Sequence, residues 1–440
     1  MLKINFKIKN EKGIILITSY LVITVLLTFS LIFVNRSVNE QNIARRQRDL
    51  AATFYLAEAG LARGLNWLRN QAQPPAGTAA FDPLAGAQDL GAGTYTISID
   101  PDDANPGNNL KRYKIISNAA IGGVTEQLVN EVQTDSYARY AYFTDTEHFR
   151  WFGWFRVPVW FIGGDTIEGT TQSNSHFHIR HNPGFTGLVR SADNFTTFYN
   201  NGNPIDSANP SNPDIDVPDF QQGLDLGVDP LNMPSKALDL RVAAVQAGLH
   251  LNGSTTVVLN ADGTMNVTNS QQGWDDENMP LPGNGALFVT GGNLTVSGTL
   301  DGRLTMGTNR DVIVANSITY SDDPRDNPPQ DPSDDMLGLI AERDVVISQD
   351  APDNVTVEAS IMALGDSFTV EDWWGGDPKD TLTVYGGIIQ NERGPVGTFN
   401  PITGERTGYL KDYNHDPRLL IEPPPFYPTT GDYISLSWEE

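Results

Sequence analysis

The residues best placed by type and spacing to do chemistry are His176, His178 and His181, a His-x-His-x-x-His run. Alternate residues of a strand face the same side, so His176 and His178 share a face and His181 could close on them from a turn. Neutral imidazoles so grouped suit zinc or copper. No carboxylate or further histidine stands at a matching interval, and a polar rung of a β region is the other reading. A second set is Asp322, Asp323, Asp326, Asp331, Asp334 and Asp335 in a proline-studded stretch. Hard oxygen ligands could hold calcium there, but the EF-hand spacing is absent and the low apolar content equally suits a solvated loop. Trp373-Trp374 could stack on a sugar ring or close the end of a β stack. There is no Gly-x-Ser-x-Gly, no Walker-type phosphate loop and no His-Glu-x-x-His. The expectation is therefore a protein that is not an enzyme and has no cofactor, calcium or zinc being the ions to consider.

These residues lie in a region of distinct texture. From about Asp165, short apolar segments recur at close intervals between Gly, Asn and Asp. Examples are Leu287-Phe-Val, Leu294-Thr-Val, Leu304-Thr-Met, Val312-Ile-Val, Val345-Val-Ile, Val355-Thr-Val and Leu382-Thr-Val. That quasi-repeat predicts stacked β rungs, solenoid or β-helix-like; a sandwich would use longer strands. One helix is expected over Ser235–Ala247, closed by Gly248, and a hairpin at Ala261-Asp-Gly263. Ahead of this region, the segment Phe149–Phe161 is crowded with aromatic side chains. It reads either as an exposed anchor or as a seal between two domains, and the seal is preferred because large apolar patches are rarely left bare.

The front of the chain is of another kind. Ile14 to Val34 is an unbroken run without charge, Gly or Pro. As a helix it is about 31 Å long, enough to span a hydrocarbon core. Lys3, Lys7, Lys9 and Lys12 precede it. The helical pattern runs on to about Gln71 with a stripe of Leu50, Phe54, Ala57, Leu61, Leu65 and Leu68, until Pro74-Pro75 ends it. Three strands follow at 94–100, 112–119 and 124–132, the last two joined by Gly122-Gly123, giving a long helix on a small antiparallel meander.

A basic leader ending in Gly13, an apolar helix from Ile14 and its polar continuation resemble a type IV prepilin. Tyr55-Leu-Ala-Glu-Ala-Gly-Leu61 is similar to the corresponding segment of PilX-type minor pilins and K-type pseudopilins. The resemblance covers the chain from its start to about Gln71. It implies cleavage between Gly13 and Ile14 by a prepilin peptidase, passage through the inner membrane, and packing against other pilin or pseudopilin subunits. The stripe itself reads as the core face of a long helix; in a filament of packed helices Leu50, Phe54, Leu61, Leu65 and Leu68, with Thr18 of the apolar span, are the residues such packing would use. Family members carry Glu where this chain has Thr18. That departure, with the large outer region, implies a filament tip. Asp165–Ile179, Tyr409–Leu420 and Pro423–Pro428 also resemble an uncharacterised domain found behind PilX-type N-termini, and its texture is similar to that of bactofilins.

Composition limits the choices further. The formal charge is −25, and without residues 1–13, which hold four lysines and one glutamate, it is −28. Phosphate backbones are bound by basic residues, so no nucleic acid partner is expected. With no cysteine, disulfides and thiolate metal sites are excluded. Four basic residues stand before the apolar run and four after it (Arg36, Arg45, Arg46, Arg48), so charge alone does not orient it. The prepilin resemblance places the N-terminus in the cytoplasm and the bulk outside the membrane, in the periplasm or at the cell surface.

The expected class is α+β. The expected division is a leader over 1–13, a membrane and pilin-like helix over 14–71, a β meander over 72–135, an aromatic connector over 136–164, a β-rich solenoid-like domain over 165–422, and a proline-rich tail with a strand over 423–440. Two functions compete: a minor pilin or pseudopilin-like component of a type IV pilus or type II secretion filament, and a membrane-anchored adhesin that enters no filament.

Overall fold

The computed structural model describes residues 11–71, 73–102, 110–151, 155–213, 215–326, 333–375, 377–400, 403 and 405–439. Asp331 and residues 1–10, most of the expected leader, lie outside them. The chain forms two units: a smaller one of residues 1–104, 112–133 and 435–440, and a larger one of 105–111 and 134–434.

The smaller unit begins with one helix, Glu11–Arg69. Its first part is long and apolar enough to cross a membrane by length and composition, and is wholly unburied by the chain. Thr18 is accommodated in this apolar run because its hydroxyl donates to the Ile14 carbonyl at 2.8 Å, one turn back. The rear of the helix buries Thr53, Leu56, Ala57, Gly60, Leu61, Gly64 and Leu68. The predicted stripe is thus shifted: Leu50 is 43% exposed, while Leu56, off the stripe, is 5% exposed. Glycine does the work that the apolar spacing conceals. A Cβ on Gly60 would stand 2.1 Å from Ser117 Oγ, and one on Gly64 2.6 Å from an Ile115 methyl, so the helix lies against the sheet where it has no side chain.

The sheet has five strands, in the order Gln88–Leu90, Gly93–Pro101, Arg112–Ile121, Val124–Ser136, Thr429–Glu439. The middle three are the expected meander, with Gly122 and Gly123 at φ +58° and +86° in its tight turn. The fifth strand comes from the far end of the chain. Its Ser435 hydroxyl donates to Asn130 Oδ1 at 2.6 Å, and Trp438 packs edge-on to Phe54.

The larger unit is built of parallel ladders in register. One runs Leu249, Leu287, Met306, Leu339, Ile361, Ile388, Tyr142, Thr171, Val189, Leu224, each residue paired with the next. A second aligns Val257, Val296, Val314, Ile347 and Val370. A third aligns Val357, Val384, Tyr413, Ile167, Phe185 and Phe220. The apolar members are buried together in one core apart from the half-buried Leu249, Leu224 and Phe220, which pack against it. Residues 142–146 pair on one side with 171–173 and on the other with 388–392, so the chain enters this ladder in its middle and not at an end.

The expected hairpin joins Thr255–Leu259 to Thr264–Asn269, with Gly263 at φ +76°. The helix is shorter than expected, Leu238–Ala247. Gly248 does cap it, but at φ −109°; it is glycine because a Cβ would meet the Ala286 carbonyl oxygen at 2.2 Å. The aromatic segment is part of the larger unit: His148–Trp151 and Phe155–Pro158 form a hairpin, and residues 152–154 lie outside the described ones. Phe149 and Trp151 pack edge-on to Trp373, and Phe161 is fully buried in the core.

Candidate metal centre

The ladder register decides which histidines meet. Thr144 pairs with Ser173, so the chain just beyond Thr144 runs beside residues 174–178. Asn174 confirms the alignment by donating to Asp145 Oδ1 at 2.8 Å. His148 is thereby brought to His176 and His178, and one ring nitrogen of each lies within 4.8 Å of the others. Ring centroids stand 4.8 Å apart for His148–His178 and for His176–His178, and 5.9 Å for His148–His176.

His181, the third member of the expected trio, is not in that group. It sits in a turn as foreseen, at φ +61°, where its backbone amide donates to Asp216 Oδ1 at 2.7 Å, and Asp216 also accepts from the Asn200 amide. Among the described residues, the group able to offer three ligand atoms is His148, His176 and His178.

Each ring is held differently. His178, on the short strand His178–Ile179, is 3% exposed, and its Nδ1 is buried with no hydrogen-bond partner. Burial, then the nearby His176 and His148, push its pKa down to about 2, so it is neutral at any physiological pH. Burial lowers His148 as well. His176 Nδ1 lies 2.8 Å from Asp193 Oδ2, an interaction that orients the ring and leaves Nε2 for another partner. Aromatic rings pack close by: Phe195 is 4.5 Å from His176 and Trp160 5.2 Å from His178. Asp193 also lines a solvent-open cleft of about 490 Å³ with Asp145, Asn174, Leu231 and Met233.

Next to the histidines the core holds buried charge. Glu147 and Arg393 form an ion pair at 2.7 Å with side chains 0% and 2% exposed. The guanidinium also donates to the Val159 carbonyl at 3.0 Å and lies 3.5 Å from the Phe161 ring centroid. Thr144 donates to the other Glu147 oxygen. Lys411 and Asp165 make a second such pair at 2.7 Å.

The acidic stretch is organised otherwise than a cation loop would be. Asp323 takes a bidentate contact from Arg325, which also reaches Glu358. Asp335 accepts from the Gly302 and Asp322 amides. These carboxylates are engaged by the protein itself, and none of the described ones joins a ligand group. Trp374 is 59% exposed, whereas Trp373 is packed under the aromatic hairpin.

No family model matches the chain, and no curated protein does. Among solved structures, it is similar to the crystal structure of competence-associated pilin ComZ from Thermus thermophilus, with a TM-score of 0.33 and 11% identity over 89% of this chain and 97% of that one. At that score and identity the likeness carries nothing about function.

Proposed function

We propose that the chain is a pilin-like structural subunit of a type IV pilus or related secretion filament, placed at the tip, and that it is not an enzyme. The observation that carries this reading is the helix Glu11–Arg69: its rear packs on an antiparallel sheet, while every large apolar residue from Ile14 to Val34 is 42–75% exposed. Such a surface needs lipid before assembly and neighbouring helices after it. A plain anchor needs only the first.

The tip position rests on Thr18. By the prepilin resemblance, a Glu at this position pairs with the amine of the subunit added before. The Thr18 hydroxyl is spent on its own helix and offers no charge to such an amine. A subunit of this kind has no electrostatic reason to follow another, though its own amine, once residues 1–13 are removed, can receive the next one's Glu. In chain order the larger unit is inserted between the fourth and fifth strands of the small sheet, and a body of that size would crowd a regular lattice. The N-terminus is assigned to the cytoplasm and the larger unit to the outside. Gold-labelled antibodies against residues 166–422 should mark filament ends. Labels spaced evenly along the shaft overturn the tip position, and filaments without label, from cells whose membranes hold the protein, favour the adhesin.

A further inference from the structure

We propose that His148, His176 and His178 form a binding site for one divalent first-row cation of the zinc and copper class, a role independent of the filament reading. Three imidazoles from two distant pieces of chain converge with one ring nitrogen each inside 4.8 Å. His148 comes from the aromatic hairpin, His176 from the connection before the strand, and His178 from the strand itself.

The chemistry of the three fits such an ion. His178 Nδ1 is buried without a partner, an arrangement that costs free energy unless something accepts its proton or takes up its lone pair. A cation supplies that partner. His176 is backed by a carboxylate, the second-layer device that fixes the tautomer and orientation of a metal-bound imidazole. The ring packing of Phe195 and Trp160 lowers the local dielectric and strengthens the bond. Arg393, the cation buried next to this site, is already matched by Glu147. A tetrahedral ion with metal–nitrogen bonds of about 2.0–2.1 Å needs ligand nitrogens about 3.4 Å apart. The histidines must therefore draw closer together, a movement that falls mainly to the partly exposed His148, since Asp193 holds the His176 ring. With three protein ligands the fourth position stays open to water or to an outside group. The all-nitrogen set excludes calcium and magnesium, which require oxygen. The ion would tie the hairpin that carries His148 to the strand His178–Ile179.

The test uses the untagged full chain in detergent, stripped with a chelator and titrated with zinc, copper, calcium and magnesium by calorimetry. One equivalent of zinc should bind, copper should bind more tightly, and calcium and magnesium should neither bind there nor compete. His148→Ala should weaken zinc at least a hundredfold. Asp193→Asn should weaken it about ten- to a hundredfold without changing the stoichiometry. His181→Ala should leave it unchanged. Cobalt in place of zinc should show the visible bands of a tetrahedral site, lost in His148→Ala. Because His178 is in the core, its replacement could unfold the strand; His148 and Asp193 are more exposed and carry the test, with far-UV spectra as the folding check. Absence of saturable zinc binding, or binding that survives His148→Ala undiminished, overturns the proposal.

Discussion

The two units treat their apolar residues in opposite ways. In the larger one, ladder members such as Val296, Met306, Leu339 and Ile361 are fully buried against one another. In the smaller one, Ile14 to Val34 stays bare, and burial begins only where glycines let the helix meet the sheet. The larger unit satisfies its own surface; the front of the helix leaves its surface to be satisfied by something else.

The strongest way to break the larger unit's self-sufficiency is through its buried charge. Arg393→Met leaves Glu147 buried in the core without its cationic partner and should cost about 3–5 kcal/mol, read as a fall in the urea midpoint of that unit. The double variant E147Q/R393M should recover much of the loss, because it removes both charges. If the single variant unfolds no more easily than the parent, the pair is not holding the core.

A second change sharpens the contrast from the other side. Leu26→Arg puts a charge at the middle of the bare run, a penalty of about 2.5–3.5 kcal/mol for membrane insertion. It should reduce the share of protein that resists alkaline extraction from membranes, with the unfolding midpoint of the larger unit unmoved. A shift in that midpoint would mean that the two units are not independent in stability.

The smallest effect concerns Asp344, whose carboxyl is raised from 3.8 to about 6, first by burial and then by Asp366 and Asp311 nearby. A carboxyl raised by folding favours the folded state below its unfolded pKa, and that contribution is lost as pH rises through about 6. Asp344→Asn removes the loss while keeping an oxygen for the Ser367 amide, which now donates to Asp344 Oδ1 at 2.9 Å. It should therefore stabilise by about 1–2 kcal/mol at pH 7 and by almost nothing near pH 4. Equal stabilisation at both pH values would contradict the assignment.

What was legible in advance follows from how local each signal is. Leu294-Thr-Val, Val312-Ile-Val and Val345-Val-Ile mark real strands, and the turn at Gly263 is where its residues place it, since both depend on neighbours in sequence. The strand Thr429–Glu439 could be suspected, but its membership of the small sheet could not. Its partner there, Val124–Ser136, lies on the other side of the larger unit in chain order. The histidines show the same limit. Sequence spacing pairs His176 and His178 with His181, whereas the structure pairs them with His148 through the alignment of Thr144 with Ser173. The step from one rung to the next is not constant: Met306 follows Leu287 in the ladder after a shorter stretch of chain than Leu339 follows Met306. No fixed repeat length was there to be read. The helix stripe was legible in part: Ala57, Leu61 and Leu68 are buried as its spacing requires, but Gly60 and Gly64 share the contact face, and a hydrophobic pattern gives glycine no weight.

The central claim is that the bare helix belongs to a subunit made to be matured and packed, and the first residue of the protein recovered from the membranes of its own cells tests it most directly. Amino-terminal sequencing should read Ile-Ile-Leu-Ile-Thr, beginning at Ile14 directly after Gly13. Recovery of the chain with Met1 and the lysine-rich leader intact would contradict the filament reading and leave a single-pass anchor carrying a β-rich binding domain.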